Sequence, residues 1–268
     1  MEIGINLHGY RPKKHISDEM HCALMKENGF TTTFCMSDSP FVKRENINML
    51  EKYGIRFDML HAPFSGINNM WRKGKKGDDM LKKLKKAVDT CASGGIQKLV
   101  VHLSSAPHTP FMTKTGFDRF DALMEHSLKK NIKILYENIR PVKNLSVMFE
   151  RQPDALFCWD TGHEHCFSFG KKFMNLFASR LSGLHIHDNR CLPFCDDHRL
   201  PFDGKIDFDG VARELACSSY DGPLMLEVLA NKTHLYSTLT PEQYYKRAGD
   251  AIKKLRDTVL KYRQSKEG

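Results

Sequence analysis

The sequence lacks a long apolar run: it contains no stretch of about 18 apolar residues that could span a membrane. Its first ten residues, MEIGINLHGY, contain no basic segment followed by an apolar one, so we predict no signal peptide. These two absences disfavour membrane proteins and secreted proteins. We therefore expect a cytoplasmic protein that makes no membrane contact.

The sequence also lacks a CxxC pair, although it contains eight cysteines. Four cysteines lie in apolar strand-like or helical runs, namely Cys22, Cys35, Cys91 and Cys158. A thiol in such a run behaves as a small hydrophobic side chain, and reduced cysteines are typical of a cytosolic protein. The pattern therefore disfavours a disulfide scaffold. Cys191 and Cys195 lie beside the polar cluster described below, so they stay open as alternative metal ligands.

No glycine-rich phosphate loop follows the first predicted strand, where the residues are Leu7-His8-Gly9-Tyr10-Arg11. This absence disfavours a doubly wound nucleotide-binding sheet. The 268 residues also contain no linker or low-complexity tract. With 41% hydrophobic and 27% charged residues, the composition is that of an ordinary globular protein. We predict a single domain over residues 1–268.

The formal net charge is +9, which suits an anionic partner, either a phosphorylated small molecule or a nucleic acid. Much of the excess lies in two lysine groups that are typical of solvated helix faces. These groups are Lys82, Lys83, Lys85 and Lys86, and Lys253 with Lys254. The charge alone therefore favours DNA only weakly.

Strand-like and helical runs alternate along the whole chain. The predicted strands are 3–8, 31–36, 56–61, 98–103, 133–139, 155–160, 184–190 and 224–228. The predicted helices are 18–28, 44–53, 78–93, 117–130, 145–151, 171–180, 208–217 and 241–262. Strands that alternate with helices indicate a parallel sheet with helical crossovers. Eight such units in a chain of this length predict an α/β fold, a single (β/α)8 TIM barrel.

Six consecutive predicted strands end in histidine or a carboxylate. The strand-end residues are His61, His102, Glu137, Asp160, His185 and Glu227, and His163, His187, Asp196 and His198 follow two of these strands. The carboxyl ends of barrel strands meet at one mouth, so we expect these side chains to come together there.

Each of these residues has a structural alternative. A single histidine after an apolar strand is more often hydrogen-bonded in a core than bound to metal, and Asp188 suits a helix N-cap. So many imidazoles and carboxylates are hard to bury without pairing or a metal, however, because an unpaired buried charge is costly. The donor set favours zinc, manganese, cobalt or iron(II) over magnesium. Either several ions bind, or one ion binds and the other residues hold substrate.

At these residues the sequence resembles the xylose-isomerase-like barrel superfamily. The segments that carry the resemblance are HAPF, VVHLSS, YENIRP, CWDTGHE, GLHIHDN, DDHRLPFDGKIDF and LEV. Resemblance to the sugar isomerase and epimerase branch implies one divalent metal held by Glu137, Asp160, His185 and Glu227. It also implies that Glu137 and Glu227 act as acid and base on the substrate carbon, through an enediolate stabilised by the metal.

Resemblance to the endonuclease IV branch implies further ligands for a three-zinc site. Matched by motif, these are His61, His102, His163, Asp196 and His198. The chain departs from that branch at Pro201-Phe202-Asp203-Gly204, which replaces a glycine-rich turn, and its HIHDN segment is closer to the isomerase-like members. The resemblance thus implies one to three ions, with zinc or manganese favoured.

Several residues near the strand ends are predicted to contact substrate. We expect His187, Arg140 and Arg190 to bind a sugar or its phosphate, with Arg199 as a further candidate, and Trp71 to form a lid. A surface ion pair is the alternative for each arginine. Trp71, with Arg72 and Lys73, could equally wedge into a DNA duplex.

The resulting hypothesis is a divalent-metal-dependent sugar or sugar-phosphate isomerase or epimerase of carbohydrate metabolism. We expect it to act on a small molecule, and a homo-oligomer is an assembly that the sequence leaves open. An endonuclease IV-like multi-zinc phosphodiesterase acting on abasic DNA is the second candidate. A metal-dependent sugar-binding barrel without catalysis is the third, and the presence of both Glu137 and Glu227 argues against it.

Overall fold

The computed structural model describes residues 1–7, 9–10, 16–105, 109–139, 141–168 and 170–267. In these residues the strands are β1 (Ile3–Asn6), β2 (Thr32–Met36), β3 (Arg56–His61), β4 (Lys98–Val101), β5 (Lys133–Glu137), β6 (Leu156–Asp160), β7 (Leu181–His185) and β8 (Leu224–Leu226). The α-helices are α1 (Asp18–Glu27), α2 (Arg44–Lys52), α3 (Lys75–Gly94), α4 (Lys114–Lys129), α5 (Val142–Arg151), α6 (Thr161–Phe167), α7 (Met174–Phe177), α8 (Phe208–Cys217) and α9 (Pro241–Glu267).

The strands form one parallel sheet in the order β7-β6-β5-β4-β3-β2-β1-β8. The sheet closes between β7 and β8, where the Ile186 amide donates to the Met225 carbonyl at 2.8 Å and the Glu227 amide donates to the Ile186 carbonyl at 3.0 Å. The predicted (β/α)8 barrel is therefore confirmed. Closure brings the carboxyl ends of all eight strands to one mouth.

The barrel interior is packed with apolar side chains, as a closed eight-stranded sheet requires. This interior cluster consists of Phe34, Met59, Val100, Leu135, Cys158 and Met225. A larger core lies between the strands and the outer helices. Both faces of the sheet are thus buried, which explains the near-continuous apolar runs that the strands show in the sequence.

Two predicted segments differ from the structure. The sequence predicts the seventh strand over 184–190, but the strand runs from Leu181 to His185, and its continuation forms only isolated bridges at Ile186 and Asp188. The predicted helix 171–180 is the short helix α7 followed by a 3-10 turn. The sequence reading also missed α6, which begins directly at Thr161 because Asp160 accepts a hydrogen bond from the His163 amide at 2.6 Å and caps it.

The cysteines of the apolar runs are buried and most of the lysines in the two groups are exposed, as the sequence indicates, while Lys85 and Lys253 are half-buried. Five cysteines are buried, and all eight have free thiols. Lys82, Lys83 and Lys86 point into solvent from α3. Among the residues that the structure describes, none forms a helix both long enough and apolar enough to cross a membrane.

Candidate metal centre

A cavity of about 840 Å³ opens at the carboxyl end of the barrel. Six of the predicted site residues line it, namely His61, His102, His163, Asp196, His198 and Glu227. Glu137, Asp160, His185 and His187 are buried and do not line the cavity. The structure thus brings the predicted imidazoles and carboxylates to one mouth, with some in the cavity wall and the rest behind it.

Glu137 lies at the centre of the site. Its Oε1 accepts a hydrogen bond from His185 Nδ1 at 2.6 Å, and its Oε2 contacts His102 Nε2. Its Oε2 also lies 3.4 Å from His61 Nε2. One carboxylate at the end of β5 therefore faces the strand-end histidines of β3, β4 and β7 together.

Glu137, Asp160, His185 and Glu227 form a first group, which we call the Glu137 cluster. The potential ligand atoms of these four residues all lie within 4.8 Å of one another. His185 Nδ1 is 3.5 Å from Glu227 Oε2, so both glutamates meet at one imidazole nitrogen. Three carboxylates and an imidazole are ligands that a divalent metal takes from proteins.

His61 and His102 extend this group toward the cavity. Their Nε2 atoms are 3.1 Å apart, and each faces Glu137. His61 Nδ1 donates to the Ala62 carbonyl at 2.7 Å, because a carbonyl can only accept. When His61 is neutral, the lone pair of its Nε2 therefore points at the neighbouring imidazole and carboxylate. A cation between these atoms would remove the repulsion.

His163, His187, Asp196 and His198 form a second group, which we call the Asp196 cluster, and their potential ligand atoms also lie within 4.8 Å of one another. His198 Nε2 is 2.9 Å from Asp196 Oδ2, while its Nδ1 donates to the Glu227 carbonyl at 3.0 Å. The neutral His198 ring thus directs a lone pair at a carboxylate, as His61 does. This arrangement also suits a cation or a proton.

Unsatisfied polar atoms test whether a metal fits the two clusters. Seven buried side-chain atoms of the site make no hydrogen bond within the described part of the chain. They are His102 Nδ1, Asp160 Oδ2, His163 Nδ1, His185 Nε2, both ring nitrogens of His187, and Asp196 Oδ1. Buried polar groups without partners are costly, and such a concentration at one site is what a missing ligand leaves behind. The residues therefore fit one or more divalent metals.

The charges of the Glu137 cluster are unevenly balanced. Burial raises the pKa of Glu137, but the neighbouring His185 and His102 bring that pKa well below its usual range. Burial raises the pKa of Asp160 well above its usual range; His163 and His185 lower that pKa in part, while Glu137 and Glu227 raise it further. Asp160 is thus the carboxyl that lacks a full positive partner, which is the situation a metal ion would correct.

Two of the carboxylates that line the cavity, Glu227 and Asp196, are held ionised. Burial raises the pKa of Glu227, yet His185 and His198 together lower it to about 2. Burial also raises the pKa of Asp196, and the hydrogen bond from His198 lowers it well below its usual range. Lys232, which the sequence reading missed, adds positive charge because its Nζ lies 3.2 Å from Asp196 Oδ2. Both carboxylates therefore face the cavity in the form that binds cations.

Asp188 fixes the loop that carries Asp196 and His198. Its Oδ1 accepts from the Asn189 amide at 2.7 Å and from the Ile206 amide at 3.0 Å. Its Oδ2 accepts from the Gly204 amide at 2.7 Å. One buried carboxylate thus joins the start and the end of the loop. The sequence suggested a helix N-cap here, and the structure shows the same type of bond made to a loop instead.

Asn138 and Gly162 are two further positioning residues that the sequence reading missed. The Asn138 side chain donates to the Asp160 carbonyl at 2.8 Å and accepts from the Asp160 amide at 2.7 Å. This pair of bonds fixes the ends of β5 and β6 relative to each other. Gly162 leaves room for an imidazole, because a Cβ there would lie 1.8 Å from the His187 ring. The motifs YEN and DTG carry these residues, but their roles depend on neighbours distant in sequence.

The predicted substrate contacts need correction. Trp71 is 2% exposed and forms no lid: its Nε1 donates to the Leu103 carbonyl at 2.7 Å, and its ring packs in the core. His187 is fully buried, where its Nε2 lies 3.1 Å from Asp160 Oδ1 and its ring stacks on His198 with centroids 4.1 Å apart. It therefore contacts predicted ligands and does not line the cavity. The contacts of His187 depend on residues from other strands and loops, and the alternation of side chains along a strand does not specify those residues.

The arginines predicted to bind substrate are not shown in contact with the cavity. Arg190 does not line the cavity and forms a two-bond ion pair with Asp197, with Nε–Oδ2 and Nη2–Oδ1 distances of 2.9 Å. Arg199 is 3.4 Å from the same carboxylate. Arg140 lies outside the described residues. Cys191 and Cys195 belong to none of the candidate ligand groups found among the described residues.

Metal loading is expected to stabilise the protein. At a free zinc concentration near 1,000 times its Kd, binding to the folded state alone adds about 4.1 kcal/mol. For a chain of this size, that corresponds to a rise in Tm of about 8–16 °C. Thermal unfolding of chelator-treated protein, with and without zinc or manganese, measures the effect, and magnesium serves as the control. An unchanged Tm with every divalent metal would contradict the proposed site.

With this geometry, the fold and site define a barrel with a histidine–carboxylate centre at its mouth. The family model described as xylose isomerase-like TIM barrel matches residues 23–255. The chain therefore belongs to the xylose isomerase-like TIM barrel family. A curated relative, the uncharacterized protein y4fM of Sinorhizobium fredii (strain NBRC 101917 / NGR234), is 28% identical over 196 residues. That match covers 67% of this chain and 61% of the relative, so the chain spans less than two thirds of that protein's length.

Several solved structures share the fold. A D-tagatose 3-epimerase-like protein has a TM-score of 0.77 at 17% identity, with 100% of both chains covered. D-psicose 3-epimerase with D-tagatose, from Clostridium cellulolyticum H10, has a TM-score of 0.77 at 14% identity, covering 97% of this chain and 99% of that one. The IolI protein with a bound zinc atom has a TM-score of 0.75 at 18% identity, covering 98% and 99%.

Proposed function

We propose that this protein is a divalent-metal-dependent sugar isomerase or epimerase. The observation that carries the proposal is the Glu137 cluster, in which two glutamates converge on His185 beside a cavity of about 840 Å³. That volume is within the range of small-molecule sites. The names of the similar structures, which include D-tagatose and D-psicose epimerases, support a sugar as substrate.

Glu137, Asp160, His185 and Glu227 would hold the metal, and zinc and manganese suit this mixed set of imidazole and carboxylate. The bound metal supplies positive charge that stabilises the negative charge developing on substrate oxygens. Binding of zinc by the similarly folded IolI protein supports this choice. The His61–His102 pair and the Asp196 cluster offer positions for up to two more ions.

The two glutamates have different access to substrate. Glu227 lines the cavity and its side chain is 17% exposed, whereas the Glu137 side chain is fully buried. Glu227, held as a carboxylate, is therefore the base that takes the proton from a substrate carbon. Glu137 positions the histidines and the metal, and it completes proton transfer only if the site rearranges when substrate binds.

The cavity favours an uncharged sugar. Hydrogen-bonding side chains suited to hydroxyl groups line its wall, namely Asn6, Asp38, Ser39 and Asn231. Among the described lining residues, Lys232 is the one lysine or arginine, and it is paired with Asp196. A phosphorylated sugar would need a further cation. Phe64, Phe167 and Leu229 provide apolar contacts for the carbon skeleton.

A second candidate function is phosphodiester hydrolysis on abasic DNA. The Asp196 cluster favours it, because a separate set of ligands could hold further metals beside the Glu137 cluster, as clamping of a phosphate requires. The burial of Trp71 weighs against it, since this residue cannot wedge into a duplex.

One experiment separates the two functions. Zinc- or manganese-loaded protein is incubated in D₂O with a panel of ketoses and their phosphates, and in parallel with a duplex that contains an abasic site. We expect deuterium to appear at the sugar carbon beside the carbonyl, fastest with an unphosphorylated ketose, and the duplex to stay intact. Strand cleavage without deuterium uptake would reverse the assignment. If neither reaction occurs, the proposed catalysis is refuted, and the binding of sugar is the property that remains to be measured.

A further inference from the structure

The backbone that carries Glu227 leaves the regular sheet just before this residue. Strand β8 ends at Leu226, and the register of β1 with β8 ends at the pair Ile5–Leu226. On the β7 side, the Glu227 amide donates to the Ile186 carbonyl at 3.0 Å. The Glu227 carbonyl accepts from His198 Nδ1, also at 3.0 Å. Backbone pairing with β1 therefore stops one residue before the proposed base.

The side chain of Asn6, at the end of β1, continues the contact beyond that point. Its Nδ2 donates to the Val228 carbonyl at 2.9 Å, and its Oδ1 accepts from the Val228 amide at 2.9 Å. Val228 directly follows Glu227 in the sequence. A primary amide contains both a donor and an acceptor, so one side chain can bind both backbone groups of one residue. Asn6 thus takes the place of a neighbouring strand at Val228.

The loop after β1 packs against this bonded pair. A Cβ at Gly9 would lie 2.4 Å from the Val228 carbonyl oxygen and 2.8 Å from Asn6 Nδ2, so the close approach requires glycine. The Gly9 carbonyl then accepts from the Ala230 amide at 2.9 Å. Val228 is fully buried, so water cannot replace the two bonds to Asn6 if the amide is removed.

We propose that Asn6 is a positioning residue for Glu227, which binds the backbone of Val228 and so fixes the direction in which the Glu227 side chain enters the cavity. Both residues line that cavity. A general base must lie within hydrogen-bond reach of the proton that it takes, and a displacement of about 1 Å can lower a rate by about 10²-fold. The inference rests on the isomerase or epimerase function proposed above.

Direct binding of substrate is the competing role for Asn6, because its side chain also lines the cavity. The two roles differ in the kinetic constant that they change. Loss of a contact that is equally strong in the ground state and the transition state raises KM and leaves kcat unchanged. Loss of the position of the base lowers kcat and leaves KM nearly unchanged. Kinetics of deuterium uptake therefore distinguish a substrate contact from a positioning residue.

The test compares wild-type protein, Asn6→Asp and Asn6→Ala, all metal-loaded, on the ketose that exchanges fastest. Asn6→Asp keeps the shape and the acceptor but cannot donate to the Val228 carbonyl, and Asn6→Ala loses both bonds. We expect kcat to fall by about 10²-fold in each variant, with KM nearly unchanged and most of the metal retained. A rise in KM alone, or kinetics equal to those of wild type, would overturn the inference.

Thr33→Val is the matched control. Thr33 is buried on β2, does not line the cavity, and donates from Oγ1 to the Ile5 carbonyl at 2.7 Å. The substitution therefore also removes a buried side-chain bond to the backbone, here to β1. It should leave kcat and KM unchanged. A fall in kcat as large as that of Asn6→Asp would show that any weakening of β1 is enough, and would overturn the specific role of Asn6.

Hydrogen exchange tests the same bonds without substrate. The peptide 227–230 should exchange faster in Asn6→Asp than in wild type or Thr33→Val, and unchanged exchange would overturn the inference even if activity fell. If the variants fold poorly, NMR of the wild type is sufficient: rapid exchange of both Asn6 Nδ2 protons with solvent would overturn it. If wild type is active and both Asn6 variants are equally active, this inference alone fails. If wild type exchanges no ketose proton, the proposed function fails first and this inference falls with it.

Discussion

Glu137→Gln is expected to lose both the metal of the Glu137 cluster and all detectable isomerase activity. The carboxylate of Glu137 faces His61, His102 and His185 at once, and it belongs to three of the four candidate ligand groups. An amide removes the negative charge and presents an N–H₂ group to at least one imidazole nitrogen. Metal analysis after dialysis, together with the deuterium-uptake assay, measures both losses.

Glu227→Gln is the matched comparison, because the same chemical change is made at the glutamate that lines the cavity. Loss of a general base typically lowers the rate by about 10²- to 10⁴-fold. We expect a loss of that size with most of the metal retained, since three ligands of the cluster remain and the amide oxygen can still bind. Equal metal content and equal activity in both variants would contradict the separate roles of the two glutamates.

Asp188→Ala is expected to cost about 3–5 kcal/mol of unfolding free energy, because three backbone N–H groups, two of them buried, lose a charged acceptor. Those donors belong to Asn189, Gly204 and Ile206, at the two ends of the loop. The variant should also lose metal from the Asp196 cluster, since the same loop carries Asp196 and His198. Urea unfolding and metal stoichiometry measure the two effects separately.

Asp207→Ala provides the control for this prediction. Asp207 is exposed at the end of the same region and caps α8 by accepting from the amides of Asp209 and Gly210, both at 3.1 Å. Losing an exposed cap typically costs about 1 kcal/mol. This variant should keep its metal content. A similar loss of stability in the two variants would show that Asp188 does not hold the loop in the way described.

The sequence by itself predicted the barrel and the end of it at which the site lies. Alternating strands and helices are local patterns, and the rule that carboxyl strand ends meet in a closed parallel sheet then places His61, His102, Glu137, Asp160 and Glu227 together. The convergence of these residues follows from the order of strands and helices alone, without any measured distance between side chains. The chemical types of these residues were also enough to indicate a metal.

Only the tertiary structure decided what each side chain contacts. Strand periodicity puts His185 and His187 on the same side, yet one meets Glu137 while the other lies between Asp160 and the ring of His198. Trp71, expected at the surface as a lid, fills the core and donates to Leu103. The periodicity of a strand determines the side to which a residue points. Its partners come from other strands and loops, and packing and hydrogen bonds between distant segments bring them there.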